Sequence, residues 1–425
     1  MDYLDFLYGL KREGVKLDLG IMREFIEMVE HPERDFLSVH VAGTNGKGST
    51  AALIYNILSQ KGSSGLYTSP HLIDFNERIL LDKEFITNQK IIEFVEKYYD
   101  TIVSLSKKSR NPTFFETTTA MAFWYFSRMH AKYGSIEVGL GGRLDSTNVI
   151  TPEVSVITSI GYEHSDRLGC SLDAIAFEKG GIIKNGKPVV LGDRKRDVVR
   201  TIEKIASIRN TSVKNIWDKT DVLAKKTDRK GMSLTIVTEK SEYKIKTPMT
   251  ADYQVNNIRC AILAAESLES IGITKGNIIR GIGRSVWPAR MEIIWRNPTV
   301  MVDAAHNPPA AHSLVSSLKQ IDDFRPVLLI GMLKDKDYFS FLRIMSEVSD
   351  SVVLTLPDEP QRAIEPEFLR PWAEKFFKNV RVIRDPKEAY QLLKDEHHDI
   401  LVTGSIYLVG IIKAVERSPV KPFIS

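Results

Sequence analysis

Cysteine is nearly absent: Cys170 and Cys260 are the only two, spaced neither as metal ligands nor as a redox pair. That argues against a disulfide scaffold and for thiols in a reducing compartment, so a cytoplasmic location is expected. No run approaches the roughly 20 apolar residues that a membrane-spanning helix needs. The opening MDYLDFLYGLKREGVKLDLG is acidic and amphipathic, without the basic start and apolar core of a secretory signal. Neither sign of charge dominates: 58 Lys and Arg stand against 54 Asp and Glu, a net +4, so no nucleic-acid or membrane partner is expected. Internal repeats and low-complexity tracts are also lacking. What remains is the composition of a globular protein, 43% hydrophobic and 26% charged. At 425 residues it is too long for one hydrophobic core, and two domains are expected.

Short apolar runs alternate with segments of helical period, the pattern of an α/β fold with a mostly parallel sheet and crossover helices. Strands are predicted at 36–41, 65–68, 135–138 and 154–160, with helices at 88–107 and 116–130. The stretch after Gly46 reads as a helix with Leu53, Ile54, Ile57 and Leu58 on one face. Residues 221–247 differ, alternating with period two around a D-R-K-G turn, which predicts small antiparallel hairpins. A helix rich in alanine and leucine follows at about 255–271. GIGRSVWPARMEII then marks a junction near Trp287, beyond which strands are predicted at 299–303, 326–331, 351–355, 379–383 and 399–403.

Ligands of open α/β sheets bind beyond the carboxyl ends of the strands. Polar clusters recur there: GTNGKGST after the first strand, Ser69-Pro70-His71 after the second, and Glu137 with GLGGRLDSTN after the third. Tyr162-Glu163-His164, Asp303-Ala304-Ala305-His306-Asn307 and Gly404-Ser405 follow later strands. The first cluster departs from the phosphate-loop template G-x-x-x-x-G-K-[ST], with Val41 at the first glycine and Gly48 after the lysine. A strand before it and an amphipathic helix after it still favour phosphate binding. Glycines let backbone N–H groups close on phosphate oxygens, the helix adds its positive end, and Lys47 adds a mobile charge.

Glu137 lies in an apolar strand, where a carboxylate needs a partner: a metal ion or a salt bridge to Arg143. His164 is a metal ligand candidate or a loop histidine bonded to backbone. Lys179 falls on the face of Leu172 and Ile175, which places an amine in a buried stripe. Burial lowers a lysine pKa and exposes the neutral amine, unless a glutamate pairs with it.

Taken together, GTNGKGS (43–49), TSPHL with FNERI (68–79), FFETTTAMAF (114–123), EVGLGGRLDSTN (137–148) and EKGGIIK (178–184) resemble the folylpolyglutamate synthase and dihydrofolate synthase family, a branch of the Mur ligases. WPARMEI (287–293), DAAHNP (303–308) and TGSIY (403–407) extend the resemblance over nearly the whole chain. In this family a glycine after the P-loop lysine is normal and Ser49 supplies the hydroxyl. The resemblance implies an N-terminal P-loop ATPase domain over 1–286, containing the folate site, and a Rossmann-like glutamate ligase domain over 287–425. It implies that Thr44, Asn45, Gly46, Lys47, Gly48 and Ser49 hold ATP phosphates, and that Asn257, Arg290 and Asp303 contact the nucleotide. Ser49, Ser69, Glu137 and His164 would bind magnesium, two ions being expected, with Lys179 as a carbamate beside the second. His306 and Ser405 would bind glutamate, and Phe115 and Asp145 the folate. Lys47, Lys179 and His306 are the expected catalytic residues. The chain departs from the family in having Tyr162-Glu163-His164 for leucine-aspartate-histidine, and EKGGIIK for EKAGIIK.

The implied activity is ATP-driven amide formation, with folate or dihydropteroate, L-glutamate and ATP as partners and a monomeric enzyme. A carboxylate attacks the γ-phosphate, and glutamate's amine then displaces phosphate from the acyl phosphate. A Mur-like ligase for another pterin or carboxylate is the alternative within the class. An ATP-driven switch or motor is the alternative outside it, but would have no use for His306 and Ser405.

Overall fold

Two parallel-centred sheets, each with its own core, meet along the carboxyl ends of their strands. The computed structural model describes residues 3–10, 18–108, 112–162, 165–228, 230–321, 324–359 and 361–416. The larger sheet has eight strands, ordered Glu84–Phe85, Ile79–Leu81, Ser64–Tyr67, Tyr133–Glu137, Leu37–Ala42, Val154–Ile157, Val189–Leu191 and Val213–Asn215. From Ser64–Tyr67 onward all pairings are parallel, and the two pairings at the first edge are antiparallel, so only Ile79–Leu81 runs against the rest. The central strands are buried on both faces because helices cover both, Ser38, His40 and Ser155 included.

One face carries helix Lys47–Leu58, buried from Ser49 to Leu58. The sequence predicts one apolar face there. The helix is instead enclosed all round, by the sheet on one side and by helices Gln254–Glu266 and Lys275–Gly283 on the other. The opposite face of the sheet packs on helices Gly20–Met28, Asn88–Lys108 and Phe114–Arg128. Thr113 and Glu116 cap the last of these reciprocally, side chain to backbone N–H in both directions.

Residues 220–247 form the expected antiparallel element, Thr220–Asp228, Gly231–Thr238 and Glu242–Thr247, as one three-stranded sheet. Met232, Leu234, Ile236, Tyr243 and Ile245 join the core around helix Gln254–Glu266. That helix stops at Glu266, short of the predicted end, and a 3-10 turn follows at Glu269–Ile271.

The second sheet is ordered Glu292–Arg296, Thr299–Val302, Ile400–Thr403, Val327–Ile330, Ser351–Leu354 and Asn379–Val382. Its five later strands are parallel and occupy the predicted positions to within a residue or so. Glu292–Arg296 pairs antiparallel at the edge, in a stretch the sequence reads only as a junction. Asn307 and Ser405 each cap a helix that leaves this sheet, so both are fixed by backbone geometry.

Candidate active site

The loop Gly43–Ser49 turns from a buried strand into a buried helix, and residues from distant parts of the chain hold its shape. Thr44 N–H donates to Ser159 O at 2.7 Å, and its hydroxyl donates to Gly161 O and accepts Gly161 N–H. Gly46 has φ +86°, a left-handed conformation suited to glycine. A Cβ there would run into the Asn257 carboxamide. Lys47 Nζ donates back to Thr44 O at 3.2 Å, which curls the ammonium over the loop. Ser49 Oγ accepts from Gln254 Nε2 at 3.3 Å, and Gln254 Oε1 accepts from Asn257 Nδ2 at 2.8 Å.

Two hollows flank this loop. One, about 370 Å3, is bordered by Asn45, Gly46, Ser49, Asn257, Arg290 and Asp303. Asp303 is 1% exposed and accepts from Tyr253 Oη at 2.6 Å, Met291 N–H at 3.0 Å and Ala305 N–H at 2.8 Å. Burial raises its carboxyl pKa, with the Arg290 guanidinium as the main opposing influence. Burial and the Asp303 carboxylate together push the Tyr253 phenol well above its usual range.

The other, about 240 Å3, opens between the two sheets. The P-loop, Ser69, Glu137 and Lys179 border it from the first, and His306 and Ser405 from the second. Glu137 ends its strand at 5% exposure, and its Oε2 accepts Ser69 N–H at 3.0 Å. Burial raises its pKa against the pull of Lys47, the Ser69 N–H, Arg290 and Arg78. It has no bond to Arg143, which pairs with Glu178 at 2.8 Å, so the salt-bridge expectation for Glu137 is overturned. The buried Glu137 carboxylate and Ser69, which borders the same cleft, offer oxygen donors of the kind magnesium takes. Ser49 faces the other hollow, toward Gln254, and among the described residues no three His, Cys, Asp or Glu side chains form a ready-made metal cluster. His164 lies outside the described residues.

Lys179 is 3% exposed on the buried face of helix Leu172–Gly180, as its spacing predicts, and Nζ donates to Gly43 O at 2.8 Å. Glu178, its neighbour in sequence, is held by Arg143. His306 Nδ1 bonds the Ala304 carbonyl at 3.0 Å, which makes Nε2 the basic nitrogen. Ser405 Oγ accepts Tyr407 N–H at 3.2 Å.

Phe115 and Asp145 border neither hollow. Phe115 is half-buried beneath Gly139 and stacks on Tyr67 at 6.1 Å between centroids. Asp145 is 5% exposed, and its carboxylate is occupied by Leu140 N–H, Thr147 N–H and the Thr147 hydroxyl.

Several residues in and around the cleft escape a reading of the sequence. Lys336 and Arg362 border it from the second sheet, both ion-paired to Asp335. Isolated charges in loops carry no periodic signal. Arg78, inside FNERI, is 7% exposed and donates to His71 Nδ1 at 2.8 Å. Trp287, which the sequence places at the junction and within WPARMEI, packs on the P-loop at Gly48.

The family models for the Mur ligase middle domain and the Mur ligase glutamate ligase domain match residues 41–265 and 289–406. The dihydrofolate synthase/folylpolyglutamate synthase of Bacillus subtilis is 32% identical, over 97% of this chain and 98% of its own. The folylpolyglutamate synthase of Lacticaseibacillus casei is 33% identical, over 90% of each. Among solved structures, the Mycobacterium tuberculosis folylpolyglutamate synthase complexed with ADP superposes with a TM-score of 0.91 at 28% identity, over 97% of this chain and 98% of that one.

Proposed function

The chain belongs to the Mur ligase family, on the branch of the folylpolyglutamate and dihydrofolate synthases, and we propose from this that it is an ATP-dependent ligase that adds L-glutamate to a folate. The observation that carries the reading is the cleft itself, where Lys47 and Glu137 face His306 and Ser405 across two sheets. A phosphate loop and an amino-acid pocket that share one hollow serve a reaction in which phosphoryl transfer and amide formation follow each other. We divide the chain at Trp287, with 1–286 as the ATPase domain and 287–425 as the glutamate ligase domain.

The chemistry runs in two steps. A carboxylate oxygen of the acceptor attacks the γ-phosphorus, the bond to the β,γ-bridging oxygen breaks, and ADP leaves an acyl phosphate. Glutamate's amine then attacks the acyl carbon and inorganic phosphate departs. The P-loop N–H groups and Lys47 hold the phosphates and offset the charge of an anion approaching a polyanion. Asn257, Arg290 and Asp303 hold the nucleoside end. Ser49, Ser69, Glu137 and His164 would hold magnesium, which would supply further neutralisation of the phosphate charge. Lys179 as a carbamate would present anionic oxygens to a second ion.

His306 Nε2 faces the incoming amine and takes its proton, and Ser405 orients the amino acid. Lys336 and Arg362 bring two cations to a substrate that carries two carboxylates. Phe115 and Asp145 would support the pterin from behind the loop that separates them from the cleft. Closure over the junction keeps water from the acyl phosphate. The reading carries with it a monomeric, cytoplasmic enzyme, a location that two cysteines without a disulfide support.

Relatives bear either one or both synthase names, so dihydropteroate is a second acceptor to test. The experiment is a panel of dihydropteroate, tetrahydrofolate and other pterins, each with ATP and glutamate, read by phosphate release and product mass. Glutamate added to tetrahydrofolate supports the reading. ATP turnover that ignores both acceptor and amino acid would overturn it, and turnover only with a non-folate acceptor would move it to the Mur-like alternative.

A further inference from the structure

A third hollow, of about 510 Å3, lies apart from the two that flank the P-loop. It lies between helix Gly20–Met28, the segment 143–148 and the turn 181–185. Among the described residues four cations border it, Arg23, Arg143, Lys184 and Arg209, against one acid, Asp18. Arg143 is neutralised by Glu178, and Asp18 Oδ1 is engaged by Gly20 N–H at 3.0 Å. The remaining three cations have no carboxylate partner among the described residues.

Lys184 makes the imbalance concrete. Its Nζ donates to the Asn148 carbonyl at 3.0 Å and makes no ion pair among the described residues. Burial, and then the charges of Arg209 and Arg23, push its ammonium pKa down to about 8. Cations gathered without a counter-charge raise the free energy of the folded chain, and an anion seated among them lowers it.

The size and placement of the hollow indicate what kind of anion. Pockets of about 300–1,000 Å3 hold whole small molecules, so a single phosphate or chloride would leave most of this one empty. Three cations without carboxylate partners on one border suit a ligand that carries several carboxylates. Its wall is shared with the catalytic cleft: Gly139, Leu140 and Gly141 border the cleft, while Arg143, Leu144 and Asn148 border this hollow. Likewise Lys179 borders the cleft, while Gly181, Ile183 and Lys184 border the hollow.

We propose that this hollow is a second binding site, for an extended polycarboxylate of the γ-linked oligoglutamate class, held by Arg23, Lys184 and Arg209. The site rests on the charge arrangement; only the identity of its ligand rests on the protein being a glutamate ligase. An enzyme whose products carry such a tail would meet this ligand at every cycle.

The probe is labelled tri-γ-glutamate without a pterin, titrated into the full chain without ATP, with saturating free L-glutamate to block the amino-acid subsite in the cleft. Wild type should bind it, more weakly as salt is raised. Arg23→Glu with Arg209→Glu should weaken binding about tenfold or more. Both arginines are exposed, and Arg23→Gln with Arg209→Gln provides a milder pair should the reversal unsettle the fold. Absence of binding to wild type, or equal binding to folded variants, overturns the proposal. Equal competition by inorganic phosphate would reassign the hollow to that ion and also overturn it. Ligation of glutamate to a folate monoglutamate, run in parallel, separates the two readings. A wild type that ligates but does not bind loses only the second site; one that binds but ligates nothing loses only the activity.

Discussion

The indole of Trp287 lies against the α-carbon of Gly48: a Cβ built on Gly48 would approach Trp287 Cζ2 to 2.7 Å and Glu137 Oε2 to 3.5 Å. The departure of this phosphate loop from the common template is therefore steric. The position after the lysine is filled by the ring of a residue at the junction, and no hydroxyl-bearing side chain fits beneath it. Gly48→Thr, which restores the template, should displace the ring and the loop together and reduce turnover about a hundredfold. Trp287→Ala in the same chain should recover part of that loss. A threonine variant as active as wild type would mean the ring yields freely.

Glu137→Gln keeps the shape of the side chain and removes its charge. Turnover should fall by about two to three orders of magnitude, the scale of one lost electrostatic stabiliser, and excess magnesium should restore some of it. Lys47→Ala should abolish ligation with the melting temperature unchanged, because Nζ reaches only Thr44 O within the loop. Normal rates in the glutamine variant would reduce Glu137 to an anchor for Ser69 N–H.

His306→Ala and Ser405→Ala should each raise the KM for glutamate more than that for ATP, with Arg362→Gln behaving alike. Initial rates with one substrate varied at a time decide it. If the ATP constant moves instead, the second-sheet residues belong to the nucleotide site.

Lys179→Ala should be nearly inactive, and short carboxylic acids in solution should restore part of the rate by occupying the vacated space. Lys179→Arg should fail too, since it keeps a cation but cannot take up carbon dioxide. Substantial activity in the arginine variant would show that positive charge was the requirement and end the carbamate reading.

Lys184 provides a test by pH. Its folded pKa of about 8 lies below the ordinary 10.5, so between those values the unfolded chain binds more protons than the folded one. The penalty is full below pH 8 and fades as pH rises towards 10.5. Urea unfolding of wild type and Lys184→Met at pH 7, 8.5 and 10 should show wild type gaining on the variant by up to about 3 kcal/mol across the window. A constant difference would mean that the amine is well solvated.

The parts of this structure legible in the sequence are those carried by periodicity and residue type. Period-two and period-3.6 patterns place the sheets, and an acid in an apolar strand or a lysine on an apolar face marks Glu137 and Lys179 as unusual. Polar clusters at strand ends converge because the strands are parallel, and Lys47, Ser69, Glu137, Lys179, His306 and Ser405 surround one cleft. Contacts between distant segments leave no such trace. Arg143 lies nearer in sequence to Glu137 than to Glu178, yet the fold pairs it with Glu178. Strands of three residues, Val189–Leu191 and Val213–Asn215, are too short to show a period. The all-round burial of helix Lys47–Leu58 depends on two helices some 200 residues later in the chain.

Asn45, in the phosphate loop, and Asn307, at the start of helix Pro308–Leu318, exchange hydrogen bonds, each amide donating to the other's oxygen at 3.3 and 3.2 Å. Neither group titrates and neither carries charge. Substrates that are nearly all anions will bind more weakly as ionic strength rises, while this clasp between the two halves will not notice. Affinity and closure thus answer to different variables of the solution, and a salt series measures the first without disturbing the second.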